Sequence, residues 1–210
     1  MNEIFSIDNK FMLFINKIIY ASWLNILWFV CSLPVFTIGA SSTALYTVSI
    51  KLVRGEEGNV TRQFFTAFRD NFKKATQIWL ILLTVGIVLG IDGYVLYHIR
   101  FSSVFWTLCT ALCIAAFVVY CIVLLNIFPL FARFDNTIRA MFQNALVMGL
   151  RYLFCSILMA LVYFAIYYII INLFTPFVVF GQGLGALICC WLINPILKKL
   201  EETAVSVEES

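Results

Sequence analysis

The stretch from Ala75 to Tyr97 reads ATQIWLILLTVGIVLGIDGYVLY and contains one charged side chain, Asp92. A helix needs about 20 predominantly apolar residues to cross ~30 Å of hydrocarbon, so this stretch predicts a membrane span. Three other long apolar runs predict further spans: Ser102–Phe128, Tyr152–Phe174 and Phe177–Leu197. The chain is 63% hydrophobic and 12% charged, which is more apolar surface than one soluble core can bury. The sequence therefore predicts an all-α, polytopic membrane protein.

A second apolar region, from Ile18 to Val53, does not divide as clearly into spans. Pro34 and Gly39 interrupt it, and its second half is rich in Ser, Thr and Ala. The region forms either a hairpin of two spans, or one span followed by a surface helix. These alternatives give six or five spans in total.

The positions of Lys and Arg distinguish the two topologies, since basic residues near span ends are retained in the cytoplasm. Six spans place every Lys and Arg except Arg100 on the cytoplasmic side. Five spans would place Lys10 and Lys17 outside, against that bias. We therefore favour a bundle of six helices in three hairpins, in the cell membrane, with both termini cytoplasmic. Asn2 and Glu3 follow the first Met where a signal peptide has basic residues, so we expect a retained anchor.

The predicted domain organisation is simple. Residues 1–199 form a single transmembrane helical domain, and residues 200–210 form an acidic, disordered cytoplasmic tail. Within the last predicted span, Gly181 and Gly185 make a small-xxx-small step, which lets that helix approach a neighbour closely. The neighbour is either another helix of this chain or another subunit.

Each predicted hairpin is preceded by a short amphipathic segment on the cytoplasmic side: Ile7–Asn16, Val60–Lys74 and Asp135–Arg151. In the second segment, Phe64, Phe68 and Phe72 repeat every four residues and share one helical face. Such a helix lies in the membrane interface. One interpretation is that the rings bury in the headgroup boundary. The other is that this face, or the loop with Glu56 and Glu57, docks another protein.

Asp92 is the candidate intramembrane polar residue, because burying a charge in lipid costs at least ~2.5 kcal/mol. It lies about one and a half helical turns before His98 and near Arg100 in the sequence. A structural ion pair or a hydrated outer rim accounts for it, and a proton or cation site is the alternative. A single carboxylate is too few for the acid–base relay of an ion-coupled transporter.

The residue inventory argues against catalysis, metal binding and nucleic-acid binding. The sequence has one His, no phosphate-binding glycine loop and no paired-His metal helix. The seven Cys all lie in apolar runs and are interpreted as small buried residues. The net charge of +3 does not indicate nucleic-acid binding, because topology explains the basic residues. We therefore expect no enzyme activity, no cofactor and no metal.

One set of residues in the first half of the chain forms a recognisable motif. It consists of Asn25, Trp28, Leu33, Pro34, Val35, Thr37, Ile38, Gly39, Ala40, Ala44, Leu45 and Tyr46. This motif is similar to the N-terminal signature of the YesL family of small bacterial membrane proteins. The similarity continues through Phe64 and Phe68 to Trp79, and beyond that it consists mainly of hydropathy and length.

The resemblance implies an association with carbohydrate uptake, because family members are typically encoded beside sugar-binding lipoproteins and the permeases of ABC importers. It implies no catalytic residue. The expected function is a non-enzymatic accessory or assembly subunit of a sugar ABC importer, with the importer permeases and the lipid bilayer as partners. The alternatives are an autonomous small-solute transporter or channel, and a signalling partner of a membrane sensor kinase. The motif itself is either a folding element or a binding site.

Overall fold

The computed structural model describes residues 2–56, 58–98, 104–172 and 178–208, and these residues contain helices but no strand. The elements in chain order are α1 (Asn2–Cys31), a 3₁₀ turn (Val35–Thr37), α2 (Ile38–Arg54), α3 (Val60–His98), α4 (Val104–Phe131), α5 (Ile138–Arg151), α6 (Leu153–Asn172) and α7 (Val178–Glu208). An all-helical architecture therefore holds for the described part of the chain.

Four of these helices contain a segment long and apolar enough to cross a membrane: α3, α4, α6 and residues Gly181–Glu202 of α7. They cover most of the four apolar runs that predict spans, and their length and composition are those of a helical membrane protein. The apolar part of α1, Ile15–Cys31, is shorter. The predicted span ends at Ser102, Phe174 and Phe177 lie outside the described residues.

The central helix of the fold is α2, most of whose side chains are buried. Helices α1, α3, α4 and α7 all pack against it. The hydroxyls of Ser41, Thr43 and Thr47 donate to carbonyls one turn earlier, as Thr43 Oγ1 does to Gly39 O at 2.9 Å. Because other helices cover α2, it needs no long apolar side chains facing lipid. This explains the Ser, Thr and Ala in the second half of the apolar region.

Two close approaches between helices depend on glycine. A Cβ at Gly39 would collide with the carbonyl oxygen of Ala75 and with Trp79, where α2 meets α3. A Cβ at Gly183 would collide with the carbonyl oxygen of Ala21, where α7 meets α1. Small residues that let backbones approach in this way are common between membrane helices.

The predicted small-residue step on the last span also packs inside the protein. A Cβ at Gly181 would meet Ile166 and Ile170, and a Cβ at Gly185 would meet Tyr163. All three neighbours belong to α6. The neighbour of this step is therefore another helix of the same chain.

The predicted amphipathic segments differ in outcome. Val60–Lys74 is not a separate helix but the first part of α3, which continues to His98. Ile7–Asn16 likewise belongs to α1. The reason is that no Gly or Pro separates either segment from the apolar run that follows. The third segment does form its own helix, α5, whose N-cap Thr137 accepts a hydrogen bond from Ala140 N at 3.4 Å.

The last helix extends beyond the predicted end of the transmembrane domain. The backbone of α7 is helical to Glu208, so residues 200–208 continue the helix instead of forming a disordered tail. An ion-pair cluster at Glu201, described below, ties the start of this extension to α2 and to the end of α4. The predicted end of the transmembrane domain at residue 199 stays a prediction.

The distal parts of α3 and α4, beyond the point where Gly86 lies against Tyr120, contain no buried residue among those described. In the most apolar windows of these helices, 11% of residues in α3 and 6% in α4 are buried, against 39% in α7. Their exposed side chains are mainly apolar. This surface suits contact with lipid, in which exposed apolar side chains carry no penalty.

Candidate functional site

The motif divides into buried positions on α2 and an exposed apolar turn before that helix. The buried positions include Gly39, Ala40, Ala44, Leu45 and Tyr46. In the turn, Leu33 is 68% exposed, and Val35 and Phe36 are also more than half exposed. The motif therefore supplies both packing positions and a small apolar surface.

Hydrogen bonds hold the turn in place. Thr37 Oγ1 lies 2.6 Å from the carbonyl oxygens of both Cys31 and Pro34, and so closes the link between α1 and α2. From α3, Trp79 Nε1 donates to Val35 O at 2.7 Å. The turn therefore lies beside the start of the apolar part of α3.

Polar side chains of α1 bond across to the neighbouring helices. Trp28 Nε1 donates to Ser42 Oγ on α2 at 3.1 Å. Asn25 Oδ1 accepts a hydrogen bond from the backbone N–H of Gly183 on α7 at 2.9 Å. Both bonds satisfy polar groups that would be costly to bury alone. They support the folding interpretation of the motif.

A groove of about 360 Å³ lies beside the motif, between α1, the start of α2, α6 and α7. Its lining combines apolar and neutral polar side chains: Asn25, Trp28, Phe29, Ser32, Leu33, Ile38, Tyr167, Ile170 and Gln182. Tyr167 donates its hydroxyl to Gln182 Oε1 at 3.1 Å across the groove. The binding interpretation of the motif refers to this groove and stays a prediction.

The phenylalanine face predicted for docking lies partly inside the protein. Phe64 is fully buried in the core between α3 and its neighbours. Its ring centroid is 6.4 Å from that of Phe68, which in turn lies 5.5 Å from that of Phe72. The rings share one face, as their spacing predicts. Because Phe64 is inaccessible to a partner, the docking prediction is corrected at this position, and the adjacent Phe65 is the exposed ring.

A cleft of about 810 Å³, here called the aromatic cleft, runs along the accessible side of this helix. It is lined by Phe65, Phe68, Arg69, Asp70, Asn71, Phe72, Lys73, Lys74 and Asp135. Lys74 and Asp135 form an exposed ion pair that joins α3 to the loop before α5. The cleft thus has an aromatic floor and charged side chains of both signs, with basic residues in excess.

The acidic loop residues predicted for docking do not join the aromatic cleft. Glu57 lies outside the described residues. Glu56 is exposed, and its backbone N–H donates to Lys51 O at 3.0 Å where α2 ends. That helix end requires the left-handed backbone of Gly55, whose φ is 75°. Glu56 therefore takes part in a helix cap.

A charged cluster that sequence reasoning missed joins the ends of three helical regions. The Glu201 carboxylate on α7 accepts hydrogen bonds from Arg54 at 3.0 and 3.1 Å, and it also pairs with Arg133 after α4. Arg54 Nε donates to Asn194 Oδ1 at 2.9 Å. The hydrogen bond to Glu201 raises the pKa of Arg133. No local sequence signal identifies this Glu201 cluster, because Arg54 and Glu201 are 147 positions apart.

Asp92 lies on the exposed distal part of α3. It lines a groove of about 420 Å³ together with Trp106, Cys109 and Cys113 of α4. Within the described residues it makes no ion pair. Its predicted partner, Arg100, lies outside them, so both interpretations of Asp92 stay predictions.

The buried cysteines lie near a pair of tyrosines in the core. The hydroxyls of Tyr46 and Tyr163 share a hydrogen bond of 2.7 Å. Cys190 is buried, and its Sγ lies 3.9 Å from Tyr46 O. In the part of the chain that the structure describes, no three His, Cys, Asp or Glu side chains are placed to hold a metal ion.

Comparisons with known proteins agree with the motif. Residues 21–93 match the family described as "Protein of unknown function, DUF624". The chain is 24% identical over 199 residues to the uncharacterized protein YteU of Bacillus subtilis (strain 168), covering 92% of this chain and 87% of the relative. It is 27% identical over 143 residues to the uncharacterized protein YesL of the same organism, covering 66% of each chain. No solved structure matches the chain significantly. The chain therefore carries a DUF624 family segment and is homologous to YteU and YesL, which confirms the resemblance to the YesL family.

Proposed function

We propose that this chain is a non-enzymatic accessory or assembly subunit of a carbohydrate ABC importer in the bacterial cell membrane. The link to an importer comes from the family resemblance, which implies that its genes accompany those of sugar-binding lipoproteins and permeases. The observation that carries the docking role is the aromatic cleft on the first part of α3. Its expected partner is a permease of the importer.

The composition of the aromatic cleft favours a protein partner over lipid. Exposed aromatic and Arg side chains, such as Phe65 and Arg69, are the residue types that contribute most to protein interfaces. The same cleft contains the carboxylates of Asp70 and Asp135. Anionic lipid headgroups would repel these carboxylates, whereas a protein segment can present charges of both signs. We infer that a permease loop with an apolar side chain between charged residues fits this cleft.

The proposal is tested by isolating the tagged protein from its native host in mild detergent and identifying partners present in equal amounts. We expect permeases of a sugar importer. Arg69→Glu reverses a charge in the cleft and should reduce permease recovery at least about tenfold, as expected for a loss of ~1.4 kcal/mol. Arg62→Glu is the control, because Arg62 is exposed on the same helix but does not line the cleft.

The two variants separate the docking surface from general charge effects. Equal recovery with Arg69→Glu and the unchanged protein would exclude the cleft as the docking surface. Recovery of the protein alone, even after gentle crosslinking, would contradict the accessory role. Solute flux into vesicles containing the purified protein would then be the next measurement, since an autonomous transporter is the alternative.

We further propose six spans with both termini cytoplasmic, with α1 and α2 forming the first hairpin. The support is the placement of Lys and Arg. Two contacts favour the alternative, in which α2 does not cross the membrane. At the start of α2, Gly39 lies against Ala75, which directly follows Lys74. At the end of α2, Arg54 binds Glu201. Both ends of α2 therefore lie near basic ends of other candidate spans.

Cysteine labelling on intact cells decides between these topologies. In a variant without the native cysteines, Val35→Cys places a thiol on the exposed turn between α1 and α2. Six spans predict that a membrane-impermeant maleimide labels it from outside. Labelling only after permeabilisation would exclude the six-span arrangement. Arg139→Cys on α5 is the control and should be labelled only after permeabilisation.

A further inference from the structure

A groove of about 290 Å³ follows one side of α5, between this helix, the end of α4 and α7. Its apolar lining includes Leu130, Met148 and Leu200. Its polar lining comes from Asn136, Asn144 and Arg151. The groove thus combines a greasy wall with a guanidinium and two neutral amides.

The position of the groove coincides with the ends of candidate membrane spans. The span in α4 ends at Phe131 and the span in α6 begins at Leu153. Arg151 stands two residues before that second span, and Leu200 stands near the end of the span in α7. Lipid headgroups lie at this depth, since a span ends where the hydrocarbon does.

The exposed side of α5 supports contact with lipid at the same place. Val147, which lines the groove, is 62% exposed, and Leu150 on the same helix is 52% exposed. Apolar side chains exposed on a short amphipathic helix beside span ends are typical of a helix that lies in the membrane interface. Val147 and Leu150 form an apolar surface along which an acyl chain can lie between the groove and the hydrocarbon.

The charge at the groove selects the headgroup. Arg151 lies with its guanidinium carbon 5.8 Å from the centroid of the Tyr152 ring. Among the described residues, no carboxylate pairs with Arg151. A guanidinium held against a ring keeps N–H groups free for a phosphate, which it binds through two parallel hydrogen bonds. The amides of Asn136 and Asn144 are suited to hydroxyl groups beside that phosphate.

We propose that this groove binds one anionic phospholipid, with its phosphate on Arg151 and an acyl chain along α5. The site is separate from the aromatic cleft and does not depend on the proposed importer association. It assigns a ligand to α5 and to the residues that follow α4.

Native mass spectrometry of the delipidated, full-length protein in detergent tests the proposal. The probes are phosphatidylglycerol, phosphatidylcholine with the same acyl chains, and inorganic phosphate. We expect the first adduct of phosphatidylglycerol at a concentration about fivefold lower than that of phosphatidylcholine, as expected for one basic residue near the membrane surface. Arg151→Gln should remove this preference. Arg139→Gln should keep it, since Arg139 is exposed on α5 but does not line the groove.

Three outcomes overturn the proposal. Equal binding of the two lipids by the unchanged protein would show that the groove does not select charge. Equal loss in Arg151→Gln and Arg139→Gln would show a diffuse effect of surface charge. Displacement of phosphatidylglycerol by an equal concentration of inorganic phosphate would show a simple anion site. If Arg151→Gln does not fold, the salt dependence of the unchanged protein decides, because the preference should fall as screening increases.

Discussion

The side-chain oxygen of Asn25 accepts the backbone N–H of Gly183, 158 positions later in the chain, at 2.9 Å. The bond is buried between α1 and α7, where the backbones approach so closely that Gly183 has no room for a Cβ. One motif residue thus fixes the contact between the first and the last helix. This relation gives the motif a structural role that does not require a ligand.

Replacing Gly183 by Ala should therefore destabilise the protein. The added methyl group meets the Ala21 backbone, which cannot rotate away as a side chain can. We expect a loss of about 1–3 kcal/mol, the usual cost of overpacking. Gly90→Ala on α3 is the control, because nothing lies within 4 Å of a Cβ there. Thermal unfolding in detergent measures both, and an unchanged stability of Gly183→Ala would contradict the close approach.

Removing the Glu201 carboxylate should free the last part of α7. In Glu201→Ala, Arg54 loses its carboxylate partner and keeps only the bond to Asn194, although its side chain is just 8% exposed. We expect a loss of about 2 kcal/mol, between the ~1 kcal/mol of exposed ion pairs and the ~3–5 kcal/mol for breaking buried ones. Faster hydrogen exchange of residues 198–208 should accompany this loss. Glu202→Ala should change neither quantity, since Glu202 is exposed and makes no described ion pair.

The stability of the turn before α2 should depend on the indole N–H of Trp79. Trp79→Phe keeps an aromatic ring but removes the N–H that donates to Val35 O. The expected loss is about 1 kcal/mol, the typical net contribution of one hydrogen bond. Trp191→Phe is matched in chemistry, and its side chain is 70% exposed. A similar loss of unfolding temperature in the two variants would argue against the hydrogen bond as the cause.

Asp92 should be dispensable for stability. Its carboxylate has no described partner to lose, so Asp92→Leu should leave the unfolding temperature unchanged or raise it, because a charge next to lipid is unfavourable. Glu201→Leu, which removes a carboxylate with two partners, should lower it. A lower unfolding temperature of Asp92→Leu would show that a group outside the described residues binds this carboxylate.

Hydropathy was sufficient to predict four apolar helices, because a span must be long and apolar wherever it lies in the fold. Hydropathy did not decide whether α2 crosses the membrane. This helix is surrounded by α1, α3, α4 and α7, and so its side chains contact neighbouring helices instead of lipid. Hydropathy along the sequence does not show which helices are neighbours in the fold.

The phenylalanine face shows, at the level of single residues, the same difference between what spacing predicts and what packing decides. Spacing by four places Phe64, Phe68 and Phe72 on one face in any α-helix. Which part of that face is covered depends on the helices that pack against α3. Burial of Phe64 and exposure of Phe65 are therefore properties of the packed protein.

The sequence by itself determined an all-helical chain with an apolar run at each of four candidate spans and a motif that resembles the YesL family. Composition and periodicity are local properties of the sequence and do not depend on how the helices pack. The tertiary structure decided the Asn25–Gly183 contact, the Glu201 cluster, and the grooves beside α3 and α5. These features join residues far apart in the chain, and their energies come from distances and burial that exist only once the helices have packed.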